Sequence, residues 1–260
     1  MAATHGFEYL DTASDYGQSE SALGQATVAK TSFKIVTKTP GFPDAHLRSE
    51  HKDVLITAFR RSLRRMGVDQ VAGLLVHNAN DLLKPGGEWL YAAMEELHEE
   101  GLVGRIGASV YGERQIAALL RRYPIQTIQA PLSVLDQRLI ESGMLDELHR
   151  CGIEVHARSV FLQGLILASI ESIGPEFARL RPQLREFLSA CASRGLSARH
   201  VALGFVRCLP QVNVMLVGVN SVSQLSELID AADVRIDAAE WRRFALNDEQ
   251  ILDPSRWQRK

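Results

Sequence analysis

The chain has 260 residues, a length that suits one large α/β domain or two small ones. With 29 basic against 31 acidic residues the formal net charge is -2, so there is no electrostatic basis for binding nucleic acid or an anionic membrane, and a small molecule is the expected partner. Cys151, Cys191 and Cys208 lie far apart without CxxC or Cys/His ligand spacing, which predicts reduced thiols in a cytoplasmic protein rather than disulfides or a metal site.

No apolar run reaches the roughly 18 residues of a membrane helix, and the N-terminus lacks a basic-then-apolar signal pattern. Neither GxGxxG nor GxxxxGK(S/T) occurs, so a nucleotide would be held by something other than a Rossmann or P-loop turn.

Taken in order, the chain reads as strand–helix repeats without a linker or low-complexity tract. A strand over 8–14 precedes a short helix near 19–29, strand 33–39 precedes helix 46–66, and strand 71–77 precedes helix 87–101. In helix 46–66, Leu55, Phe59, Leu63 and Met66 recur at three-to-four spacing with Arg60, Arg61, Arg64 and Arg65 mostly opposite. The arginine run is therefore read as a solvated helix face, not a nucleic-acid patch. Strand 105–111 precedes helix 112–122, strand 126–133 precedes helix 141–151, and strand 153–160 precedes a helical region from about 175 to 208. Strand 212–218 and helix 221–232 close the series, and Gly101 and Gly152 stand where helix C-caps are expected. Such alternation with apolar strands predicts a parallel sheet covered by helices.

The first unit carries the densest set of reactive side chains. Phe7, Tyr9 and Leu10 end a buried strand, and Gly17, Ser19 and Glu20 open a helix, which puts Asp11 and Tyr16 at the strand's C-terminal end. The run Phe33-Lys34-Ile35-Val36-Thr37-Lys38 ends in a lysine, and Ala72-Gly73-Leu74-Leu75-Val76-His77 ends in a histidine. An Asp, a Tyr, a Lys and a His thus share one kind of position on three successive strands, the rim where βα barrels carry chemistry. Singly, each has a bland alternative: a packing tyrosine, a solvated lysine, a satisfied loop histidine. His5, His46, His51, His98, His149, His156 and His200 lack this context and keep that bland reading.

With "LDTASDYGQSE" and a following "LG", "KIVTK", "LLVH" and "GLVGRIGAS" in this order, the chain resembles the aldo-keto reductases from about Phe7 to about Ala232. The resemblance implies a (β/α)8 TIM-barrel fold in a single domain over 1–260, with a tail from about 233. Only seven strands are counted. The first strand and most of the first helix, roughly 30 residues per βα unit, are missing, with Met1 to Gly6 resembling the helix's last turn. Strands 8–14 and 212–218 would then present open edges, which self-association could cover. A start assigned too late is the preferred explanation. A shortened relative, or a filler from the tail or a second chain, is the alternative.

The resemblance implies reduction of an aldehyde or ketone by hydride from NADP, with NAD as the alternative. A tyrosine is a poor acid near neutral pH, since its reference pKa is about 10. A neighbouring ammonium stabilises the phenolate, and a carboxylate keeps that ammonium charged. Asp11, Lys38 and Tyr16 supply this chain, and His77 would hold the carbonyl oxygen or share the proton. Ser109 and Gln129 match residues that hold the nicotinamide carboxamide, although Val110 stands where many relatives have Asn.

Arg158, Ser159, Gln163 and Gly164 match the loop over the pyrophosphate, with Arg158 where an aromatic usually stacks. It is expected to point away or to favour reduced cofactor. Gly218, Asn220, Ser221 and Gln224 match the adenosine turn. Asn220 replaces the Lys or Arg of NADP-preferring relatives, while Ser221, Gln224 and the helix N-terminus can still donate hydrogen bonds. Leu228 also replaces a common Asn. Short loops such as Asn78 to Gly87 suggest a small polar, sugar-like carbonyl, with the tail Arg256 to Lys260 over the pocket. The rivals are a catalytically impaired nucleotide-binding or regulatory relative, and Schiff-base chemistry at Lys38.

Overall fold

The computed structural model describes residues 2–26 and 33–257. They fall into two compact units, Met1–Gln129 with Gly152–Glu154, and Ala130–Cys151 with Val155–Lys260. The strands are parallel and stand in the sheet in chain order. Among the described residues no helix is long and apolar enough to cross a membrane.

In the first unit a 3-10 turn, Ala2–His5, is followed by β1 (Tyr9–Asp11), α1 (Ser19–Gln25), β2 (Lys34–Lys38), α2 (Glu50–Met66) and β3 (Val71–Val76). Then come α3 (Asn80–Leu83), α4 (Gly87–Glu99), β4 (Val103–Ser109), α5 (Glu113–Leu120) and β5 (Thr127–Pro131), whose last residues belong to the second unit. Residues 27–29 of the expected first helix lie outside the described residues. The loop over 78–87, read as short, contains α3.

The α2 stripe is buried as its spacing predicts: Leu55, Phe59, Leu63 and Met66 face the core, while Arg60 turns out and its Nη2 donates to both Glu100 oxygens, at 2.7 and 2.9 Å. The helix stops where Gly67 takes φ 66°, with its N–H returning to the Leu63 carbonyl, a left-handed cap that glycine adopts without steric cost. Gly107 on β4 meets a different constraint. A Cβ there would lie 2.0 Å from the Thr127 carbonyl oxygen on β5, so only glycine lets these two strands approach. The register pairs Asp11 with Val36, Lys38 with Leu75, Val76 with Ala108 and Ser109 with Gln129. The polar strand ends are thereby gathered at one end of the sheet.

The second unit contains α6 (Arg138–Glu141), α7 (Met144–Arg150), β6 (Glu154–Arg158, its first residue in the first unit), α8 (Arg181–Ser193), α9 (Ala198–Arg207), β7 (Val214–Met215), α10 (Val222–Ala232), α11 (Ala238–Trp241) and α12 (Glu249–Leu252). Its core includes Phe187, Trp241 and Phe244, whose ring centroids lie 5.4 to 5.8 Å apart. The expected helical region near 175–208 is not continuous. A 3-10 segment, Pro175–Leu180, leads into α8, and Gly195 at φ 67° breaks the chain before α9 restarts. That restart has a local cause: Ser197 and His200 form a reciprocal capping box. The strand expected over 212–218 shrinks to Val214–Met215. In the tail, Trp257 packs edge-on against Phe177 at 4.6 Å, and residues 258–260 lie outside the described residues.

Candidate active site

The centre of the site is a buried ammonium at the end of β2. Lys38 is 2% exposed, and its Nζ donates to Asp11 Oδ2 at 2.6 Å and to the Thr12 carbonyl at 2.9 Å. A desolvated lysine needs such partners, because burying an uncompensated charge is costly. The other carboxylate oxygen, Asp11 Oδ1, accepts Gln129 Nε2 at 2.8 Å. Gln129, expected as a cofactor ligand, thus commits its amide N–H to Asp11. Sequence reasoning could not see that link, since the two residues are 118 positions apart.

Tyr16 stands on the turn after β1, beyond the strand's last residue Asp11. The Lys38 Nζ lies 5.0 Å from its ring centroid, and the His77 imidazole meets the ring edge-on at 5.5 Å. Tyr16 is 47% exposed, so it is open to a reactant. Three other tyrosines are poor candidates for a proton donor near neutral pH. Burial first, then Glu154, raises Tyr9, and burial first, then Glu88, raises Tyr123. Tyr91 is pushed up to about 12 by burial and then by Glu95.

One neighbour had no assigned role in the sequence. Asp15 Oδ2 lies 3.7 Å from His77 Nδ1 and accepts the Gly41 N–H at 3.1 Å, while Ser14 Oγ donates to its Oδ1 at 3.2 Å. The next amide, Phe42 N–H, goes the other way, to buried Asp81 Oδ2 at 3.2 Å. Lys84 Nζ neutralises Asp81 at 2.9 Å and also donates to the Phe42 carbonyl. The loop after β2 is thereby tied to the loops after β1 and β3. Position His77 is set from its backbone as well, with its N–H donating to Thr39 Oγ1 at 3.3 Å. Behind the site, buried Glu20 accepts Thr37 Oγ1 at 2.8 Å and Arg65 Nε at 2.9 Å, joining α1, β2 and α2.

Asp11, Tyr16, Lys38, His77 and Gln129 therefore converge in the first unit, where Ser109 is also buried, directly beside Gln129 in the β4–β5 register. The remaining predicted residues lie in the second unit. Arg158 ends β6 and donates to Ser159 Oγ at 3.2 Å. After it the backbone enters the left-handed region at Ser159 (φ 59°), Leu162 (46°), Gln163 (54°) and Gly164 (91°). Three non-glycine residues in that region within one loop amount to stored strain, which tends to be kept where a ligand needs it. Gly218 follows β7. Asn220 N–H then donates to Gln224 Oε1 at 2.7 Å, Ser221 Oγ caps α10 by accepting Gln224 N–H at 3.2 Å, and Ser223 Oγ lies 2.9 Å from Ser221 Oγ.

Comparison with known proteins points the same way as this geometry. A sequence model of the aldo/keto reductase family matches residues 1–247. Among relatives, the chain is 25% identical to the chloroplastic pyridoxal reductase of Arabidopsis thaliana, covering 96% of this chain and 73% of that protein. It is 26% identical to the NADH-specific methylglyoxal reductase of Escherichia coli, with 90% and 81% covered. Its backbone is similar to that of the aldo-keto reductase AKR11C1 from Bacillus halodurans in the holo form, with a TM-score of 0.75 at 22% identity over 94% of this chain and 83% of that one, a likeness that shows the (β/α)8-barrel fold. Matched along nearly its whole length, the chain belongs to the aldo/keto reductase family and is an oxidoreductase.

Proposed function

We propose that this protein reduces an aldehyde or ketone, with Tyr16 as the general acid that protonates the emerging alkoxide. The observation that carries the reading is the placement of Lys38: an ammonium locked to Asp11 at 2.6 Å and held over the Tyr16 ring at 5.0 Å from its centroid. A positive charge beside the phenol stabilises the phenolate that is left when the proton departs. Asp11, fixed by Gln129 on its second oxygen, keeps the ammonium charged and in place, which also disfavours Schiff-base chemistry at Lys38. His77, edge-on to Tyr16, orients the carbonyl oxygen toward the hydroxyl.

Each unit has residues that suit part of a nicotinamide dinucleotide. Ser109 and Gln129 are polar side chains buried at adjacent strand ends, suited to a carboxamide. The left-handed residues Ser159, Leu162, Gln163 and Gly164 make a loop of the kind that turns amides toward an anion, and Arg158 is assigned to the same loop. The N-terminus of α10, with Ser221 and Ser223 paired beside Gly218, Asn220 and Gln224, is assigned to the adenosine end. When bound, the reduced cofactor supplies hydride. We place NADP ahead of NAD, because two hydroxyls at a helix N-terminus suit a 2'-phosphate, and Asn220 leaves NAD as the alternative.

A small polar carbonyl is the proposed substrate class. The names of relatives support it: pyridoxal reductase, methylglyoxal reductase and, at 26% identity, an L-galactose dehydrogenase of Arabidopsis thaliana. Tyr16→Phe tests the assignment. Because Tyr16 is 47% exposed and the substitution removes only its hydroxyl, the variant should fold as the wild type does while kcat falls by about 10²–10⁴-fold. Full turnover in that variant would remove Tyr16 from the mechanism.

A further inference from the structure

We infer that Asp15 is a specificity-determining residue that makes the site select uncharged, hydroxylated carbonyl substrates and reject those carrying a carboxylate; this rests on the reductase reading above. The inference comes from the charge balance of the rim. Lys38 is buried and cancelled by Asp11 at 2.6 Å, Asp81 by Lys84 at 2.9 Å, and Asp44 faces His51 at 3.2 Å. Asp15 is different. Its side chain is 49% exposed, no lysine or arginine among the described residues forms an ion pair with it, and the group it faces is the His77 imidazole, with Nδ1 at 3.7 Å.

Position gives that charge its leverage. Asp15 immediately precedes Tyr16, and the imidazole beside it touches the Tyr16 ring edge. A carbonyl that reaches the Tyr16 hydroxyl therefore comes under the field of the Asp15 carboxylate. The carboxylate cannot swing away without losing its anchor on the Gly41 N–H. A second negative charge on the substrate would be repelled. Near a protein surface, like charges several ångströms apart interact by an amount that changes affinity roughly tenfold. A hydroxyl on the substrate can instead donate to the carboxylate.

Succinic semialdehyde and its methyl ester share a skeleton and differ in charge, so they are suitable probes. The wild type should show a kcat/KM for the ester at least roughly tenfold above that for the acid, narrowing as salt is added. Asp15→Asn should reduce that preference by about the same factor, and so should Asp15→Ser, which keeps an acceptor for Gly41. An ester-to-acid ratio unchanged in both variants overturns the inference, because a purely structural role for Asp15 would lower both substrates together. If neither the wild type nor the variants turn over either compound, the reductase reading fails. The calorimetric affinity ratio of the same pair then decides the charge question by the same criterion.

Discussion

Lys38 Nζ lies 2.6 Å from Asp11 Oδ2, and the pair is held from the far side by Gln129 on Asp11 Oδ1 at 2.8 Å. Asp11→Asn keeps the shape of this contact and removes the negative charge that faces the buried ammonium. Stability should drop by about 1–3 kcal/mol in urea titrations, and kcat by about 10²-fold, with KM changing less. Retained turnover would show that the proton donor does not depend on this ammonium.

Glu20 offers a contrast. It is as buried as Lys38, but it serves Thr37 and Arg65 on the helix side of β2. Glu20→Ala should cost about 2 kcal/mol, less than the loss of a fully buried pair, because the Arg65 side chain is 30% exposed and can turn to water. Turnover per folded molecule should stay within a few-fold of wild type. A loss of activity as large as that of Asp11→Asn, at unchanged stability, would show that the network reaches the chemistry.

Two glycines should separate cleanly. At Gly107 an added Cβ meets the Thr127 carbonyl at 2.0 Å, whereas at Gly73 the nearest atom is a Val36 methyl at 3.4 Å. Gly107→Ala should destabilise by more than about 2 kcal/mol through forced separation of β4 and β5. Gly73→Ala should change the urea midpoint little.

The thiols differ in the same predictable way. Burial, opposed by Arg194, pushes Cys191 from its ordinary 9.0 up to about 11, while Cys151 and Cys208 are exposed. Iodoacetamide at pH 8 should modify the exposed pair and spare Cys191 until the protein is unfolded. Since the folded thiol binds its proton more tightly than the unfolded one, the stability from this group is full below pH 9 and is lost as pH rises toward 11. Tyr91, pushed up to about 12 from 10.0, acts in the same direction at higher pH. Midpoints that rise above pH 9 would contradict both.

Much of the architecture could be read from the sequence because its signals are local. The α2 stripe, the apolar runs of β2 and β3 and the polar residue closing each run follow from periodicity alone. What escaped was set by partners distant in the chain or by caps. Gly195 and the Ser197–His200 box divide α8 from α9, inside what hydropathy presents as continuous helix. Asp15 was visible as a letter beside Tyr16, but its significance arises from His77, 62 positions later, and from a backbone amide of Gly41. No pattern in the sequence encodes a hydrogen bond to a main-chain N–H on the next loop, 26 positions away.

The adjacent amides of Gly41 and Phe42, one moored to Asp15 and the next to Asp81, have a practical meaning for anyone re-engineering this enzyme. Three neighbouring loops are laced by two successive peptide units, so proline at 41 would release the tie to Asp15 and proline at 42 the tie to Asp81. Graded changes to what the mouth admits should therefore be made in side chains that face the opening, with those two peptides left untouched.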